Sequence, residues 1–320
     1  MNTPPLKGGF NCVIATVCNY LETIHGIPAD VGSVSFNRSY FKVIHADGCL
    51  MTVSPEEVSL EFLHDVGAGF VYPPFAGLPE AFAYIDWHLA HRGVLPVSIN
   101  LRYDILDPLP FDNDYWHFHL IVAREPGGFR MFDQFENEYY FMPEQQLGLA
   151  IDTPFNYRFE GKFTPYLLAD CIEPEAEVRR KAQSKRRSGA ELAAFAADYP
   201  LEDNLQAGVS FIRGLHRYTG SRPNETEMYR LMNYHHVIIK CRDMFQTALE
   251  EAGWADVQPV QQLRELWETY RHQLGMALAR RTADEFDRLE LAYTQLINNE
   301  NTLLRSLSAR NAALEGEGAR

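Results

Sequence analysis

Tyr115 to Phe135 reads YWHFHLIVAREPGGFRMFDQF. Two apolar runs flank Pro126-Gly127-Gly128, and glycine supplies the positive φ that a tight hairpin turn demands. The pattern predicts one strand over 119–124 and a second, antiparallel to it, over 129–133. His119 then opens the first strand and Asp133 closes the second, so pairing sets them side by side. An acid that orients a histidine, and stabilises it when charged, is half of a nucleophilic triad. The missing half is a nucleophile from elsewhere in the chain.

Cys12, in Gly8-Gly9-Phe10-Asn11-Cys12, supplies it. Val13, Val17, Leu21 and Ile24 recur at helical spacing, and Asn11 is a suitable N-cap, so Cys12 falls in the first helical turn. Unsatisfied N–H groups and the helix dipole there favour a thiolate, and the same N–H groups can bind an oxyanion. The bland alternative is a small buried hydrophobe, which is the better reading for Cys18. Cys49, in Ala46-Asp47-Gly48-Cys49, sits in a turn-like setting.

The composition is that of an ordinary globular protein: 320 residues, 46% hydrophobic and 12% aromatic. A net charge of −14 argues against a nucleic-acid binder, which needs a surplus of Lys and Arg. No apolar run approaches a membrane span, the N-terminal MNTPPLKGGF lacks signal-peptide regions, and five scattered cysteines form no disulfide framework. The expectation is a cytoplasmic protein with free thiols.

Further along, 78–92 reads as an amphipathic helix carrying His88 and His91 on its solvated side. VLPVSINL reads as a buried strand, and 138–142 adds another strand. Arg179, Arg180, Lys181, Lys185, Arg186 and Arg187 form the one dense basic run of an acidic chain, either a solvated helix face or a dock for an acidic partner. Long helical patterns follow over 226–253, 260–281 and 283–307. The domains are thus drawn as 1–172, a basic linker over 173–190, a helical domain over 191–308 and a flexible tail over 309–320.

Two features compete with the hairpin pair. Strand alternation puts His117 on the same face as His119, and Asp107, Asp112 and Asp114 are alternative acids in the preceding loop. His117 and His119 with Asp112 or Asp114 also resemble a facial metal-binding set, which would need a third ligand and leave Cys12 without a role. The triad reading, Cys12, His119 and Asp133 without a metal, is therefore preferred.

Residues 6–145 resemble the family named for the N-terminal domain of butirosin biosynthesis protein H, a papain-like acyltransferase fold. The likeness rests on Gly9-Phe10-Asn11-Cys12, on Arg92-Gly-Val-Leu-Pro-Val-Ser-Ile, on Tyr103-Asp104-Ile-Leu-Asp-Pro-Leu-Pro and on His117-Phe-His-Leu-Ile-Val with Asp133 after the hairpin. Asn11 stands where members often have histidine, and Arg124-Glu125-Pro126 where they have Gly-Tyr-Asp. The resemblance implies an α+β, papain-like cysteine protease/acyltransferase fold with an antiparallel sheet and a nucleophile helix, followed by an all-α C-terminal domain. It implies Cys12 as nucleophile, His119 as base and Asp133 as orienting acid, with Asn11, His117 and Asp104 binding oxyanion or substrate. It also implies acyl transfer from a phosphopantetheine thioester on an acyl carrier protein to a small-molecule amine, with no cofactor of its own. A peptidase or amidase, a thioester cyclase and a catalytically silent scaffold are the alternatives, and a homodimer stays open.

Overall fold

The computed structural model describes residues 6–8, 11–35, 40–52, 55–105, 116–186, 188–254 and 257–318. Gly9, Phe10, Ser54, Asp107, Asp112, Asp114, Tyr115 and Arg187 lie outside the described residues. The chain is α+β, with small antiparallel sheets and a helical C-terminal region. Its elements run α1 (Cys12–His25), α2 (Val31–Ser35), β1 (Val43–Ala46), β2 (Cys49–Thr52), α3 (Pro55–Val66), β3 (Ala68–Val71), α4 (Leu78–His91) and β4 (Leu95–Asn100). Then come β5 (Trp116–Glu125), β6 (Gly128–Asp133), β7 (Glu138–Pro143), α5 (Glu144–Ile151), β8 (Leu168–Cys171) and α6 (Glu175–Lys185). The C-terminal helices are α7 (Gly189–Ala196), α8 (Leu201–Leu215), α9 (Glu225–Glu251), α10 (Gln258–Arg280) and α11 (Ala283–Gly318).

Two compact units result: Met1–Val34 with Pro55–Lys185, and Ser35–Ser54 with Arg186–Arg320. The division is not contiguous in sequence, because the β1–β2 hairpin belongs with the helices. The backbone explains this: Asn204 of α8 accepts from the Val43 N–H at 2.8 Å and donates to the Phe41 carbonyl at 2.9 Å. The run expected as a basic linker is instead helix α6 of the first unit. Val178 and Ala182 bury its inner face, and Lys181 and Lys185 pair with Glu173 at 2.7 Å and Asp65 at 2.6 Å. At the other end, α11 runs on to Gly318, beyond the expected end of helix at 307.

In the first unit, β4-β5-β6-β7 form an antiparallel sheet in that order, and β3 pairs with β8. All six residues of β4 are buried, Ser98 and Asn100 among them, although β4 is the first strand in the order of this sheet. Gly127 takes φ +83° in the two-residue turn between β5 and β6, a conformation that costs a residue with a Cβ. The β5–β6 register places His119 opposite Asp133, with an irregularity between Ile121 and Ala123. Helix α1 is buried along nearly three turns from Cys12 to Leu21. His88, expected on the solvated side of α4, is fully buried, whereas His91 is exposed. The reason is local: Nε2–H of His88 donates to the Val94 carbonyl at 3.1 Å, and Nδ1 accepts from the Tyr84 hydroxyl at 3.2 Å. A histidine with both nitrogens satisfied packs as an aromatic.

The second unit is held by α8–α11 and the hairpin. Leu231, Ile238, Phe245 and Leu249 of α9 and Leu263, Trp267, Tyr270 and Leu274 of α10 are buried, as their spacing predicts, while Met228, Met232 and Leu266 are half-buried. Tyr293 lies so close to α8 that a Cβ on Gly208 would fall 1.8 Å from its ring, so only glycine fits there. Arg242 and Glu300 form a fully buried ion pair at 2.7 Å, with the Tyr199 hydroxyl donating to the other Glu300 oxygen at 2.6 Å. Among the described residues no helix is long and apolar enough to cross a membrane.

Candidate active site

Asn11 caps α1 with its side-chain oxygen, which accepts from Val13 N–H at 2.9 Å and Ile14 N–H at 3.4 Å. Those two donors are thereby spent, which leaves the Cys12 N–H as the helix-start donor that Asn11 does not engage. Cys12 itself is buried and packs with Val13, Phe118 and Leu167, and the half-buried Phe70, Tyr72 and Trp116 cover that cluster.

The histidine on the Cys12 thiol is His117. Its imidazole lies close enough to the Cys12 sulfur for the two to interact. Burial disfavours its charged form, but the Cys12 sulfur, Asp133 and Asp104 outweigh that and push His117 up to about 9. His119, expected as the base, lies one strand repeat further in. Its side chain is inaccessible to solvent, its ring meets that of His117 edge-on at 5.2 Å, and its Nδ1 is 2.8 Å from the Tyr140 hydroxyl. Burial pushes His119 down to about 3, although Asp133 opposes and His117 reinforces the shift.

The two acids lie on the His119 side. Asp104 Oδ2 and Asp133 Oδ2 are 3.8 and 3.9 Å from His119 Nε2, beyond direct hydrogen bonding. The other oxygen of Asp133 accepts from the N–H groups of Phe135 and Glu136 at 2.7 and 3.2 Å, which fixes the carboxylate. Asp133 thus reaches its predicted place beside His119, while its field also falls on His117. Asp104, expected to contact oxyanion or substrate, is buried.

Gln134 went unmarked in the sequence and holds the site together. Fully buried, its amide donates to Thr16 Oγ1 at 2.8 Å and lies 3.3 and 3.5 Å from the carbonyls of Phe118 and Cys12. Its oxygen accepts from Asn19 Nδ2 at 3.1 Å. One side chain therefore ties α1 to β5, the nucleophile helix to the histidine strand. Its only sequence signal is adjacency to Asp133.

Of the other candidates, Cys18 is fully buried in α1, and Cys49 opens β2 in the second unit with burial raising its thiol. In the basic run, Arg180 pairs with Glu177 and Arg179 donates to the His25 carbonyl at 3.1 Å. Together with Lys181 and Lys185, these cations are engaged within their own unit.

Comparison of the sequence with family models and with curated proteins returns no match.

Proposed function

We propose that the first unit is a papain-like cysteine acyltransferase of the type seen in the butirosin protein H N-terminal family. Its step is movement of an acyl group from a carrier-protein thioester to an amine through an acyl-Cys12 intermediate. The observation that carries this reading is the His117 imidazole beside the Cys12 sulfur at the start of α1, with Asp133 and Asp104 acting on it by charge. In this scheme His117, not His119, is the base. The Cys12 sulfur attacks the thioester carbon, the carbon–sulfur bond to the carrier breaks, and the imidazolium of His117 protonates the departing thiol. Neutral His117 then takes a proton from the incoming amine as it displaces Cys12. Asp133 and Asp104 stabilise the imidazolium by charge, and the Cys12 N–H faces the developing oxyanion. His119, braced by Tyr140, is a positioning residue. A thioester is already activated, so positioning and a thiolate supply most of what is required. Water or an internal nucleophile in place of the amine would make the same site a hydrolase or a cyclase.

Incubation with an acyl-pantetheine thioester, read by intact mass, tests this. The expected result is a single acyl adduct that is absent from Cys12→Ala, present in Cys49→Ala and discharged by added amine. An adduct that persists in Cys12→Ala overturns it.

A second reading has an observation of its own. His119 Nε2 is buried without a hydrogen-bond partner among the described residues, and ligand atoms of His117, His119 and Asp133 lie within 4.8 Å of one another. A divalent metal there would satisfy the orphan nitrogen. Metal content of the purified protein, lost in His119→Ala but retained in Cys12→Ala, would favour it over the triad.

A further inference from the structure

At the opposite end of α1 from Cys12, a second group of ligand-type side chains converges within the first unit. His25 closes α1, Cys171 closes β8 and Glu175 opens α6. One imidazole nitrogen, the Cys171 Sγ and a Glu175 carboxylate oxygen all lie within 4.8 Å of one another. The Nδ1 of His25 faces Glu175 Oε1 at 2.9 Å, while Nε2 lies 3.3 Å from Asp170 Oδ1. Asp170 is itself held by Arg92 at 3.1 Å.

We propose that His25, Cys171 and Glu175 form a zinc-type divalent-metal site, with Asp170 as the outer carboxylate that fixes the His25 imidazole. The donor set argues for the class of metal. Nitrogen, thiolate and carboxylate together suit zinc and its borderline neighbours, whereas magnesium and calcium prefer oxygen alone. The surroundings argue for a built site. Metal-bound histidines donate their second N–H to a carboxylate, and the Asp170–Arg92 pair already occupies that place. Three protein ligands leave a fourth position for water, and the exposed Glu175 leaves the site open to entry.

Binding exchanges protons for metal. The Cys171 thiol and the Nδ1 of His25 each release any proton they carry to solvent as the metal–sulfur and metal–nitrogen bonds form. Because both donors bind the metal only when deprotonated, affinity rises with pH. The bound ion would join α1, β8 and α6, a link made at present by His25 bridging Asp170 and Glu175 and by Arg179 on the His25 carbonyl.

The full-length protein, stripped with a chelator, is titrated with Co²⁺, and the near-ultraviolet thiolate-to-cobalt band is read. The expected result is one equivalent that Zn²⁺ displaces, with the band retained in Cys12→Ala and lost in Cys171→Ser. Glu175→Gln, at an exposed position, keeps the far-ultraviolet circular dichroism of the wild type and weakens Co²⁺ binding by about tenfold or more. A band that survives Cys171→Ser, a band that disappears in Cys12→Ala, unchanged affinity in Glu175→Gln, or no Co²⁺ uptake overturns the proposal.

Discussion

The imidazole of His117 neighbours the Cys12 sulfur, whereas His119, two residues further along the same strand face, has Asp133 and His117 as its charged neighbours. That relationship divides the labour between the histidines and sets the first prediction. Alkylation of Cys12 by iodoacetamide at pH 7 should fall by about 10² in His117→Ala and much less in His119→Gln. His117 is raised, so its imidazolium is present below about 9 and is lost as pH rises through that value. Acyl transfer, which needs that proton for the leaving thiol, should therefore decline above about pH 9. Equal losses in the two histidine variants would contradict this assignment.

Gln134 makes a second, structural prediction. Gln134→Leu leaves the Thr16 hydroxyl and the Asn19 amide without their buried partner, at a cost of about 2 to 4 kcal/mol. Urea denaturation followed by tryptophan fluorescence should show this as a lower midpoint. Cys12 reactivity should fall with it even under conditions where the variant is fully folded.

His88 governs part of the acid response. Burial lowers it to about 4, against the opposing Val94 hydrogen bond, whereas an exposed histidine in the unfolded chain titrates near 6.5. Between those values the unfolded chain takes up a proton that the folded chain refuses, so stability falls as pH drops through the window. The loss is about 1.4 kcal/mol per pH unit. His88→Gln should flatten the difference in unfolding free energy between pH 7 and pH 5 by about 2 kcal/mol. An unchanged slope would show that His88 titrates normally.

Arg242 and Glu300 give the second unit its own test. Arg242→Met strands a buried carboxylate and should cost about 3 to 5 kcal/mol, whereas Arg242→Met with Glu300→Leu should recover most of it. Thermal unfolding of the two single variants and the double variant measures the coupling.

Local chemistry was legible where it is written in adjacent residues. The Asn11 cap, the Pro-Gly-Gly hairpin, the buried β4 and the His119–Asp133 register follow from capping, turn geometry and the period of two. The choice between His117 and His119 was not legible, because alternation places both on one face. That choice depends on how α1 packs on β5, two elements that the Gln134 amide bridges. His88 was misplaced because a pattern of polar and apolar residues cannot register that the Val94 carbonyl and the Tyr84 hydroxyl will satisfy it. The place of the β1–β2 hairpin in the second unit follows from contacts with α8 and α9, the Asn204 hydrogen bonds among them, far away in sequence.

The Gln134 bridge spans 122 residues back to Cys12, and this bears on the order in which the chain is made. A ribosome releases Cys12 early, when it is an ordinary thiol on an unpartnered segment. His117, and then the amide that seats α1 against it, arrive only after more than a hundred further residues. If His117 is the base proposed above, the sulfur gains that partner only once the strand carrying it has been made and has docked. On the proposed mechanism, reactivity at Cys12 would then be a readout of completed assembly.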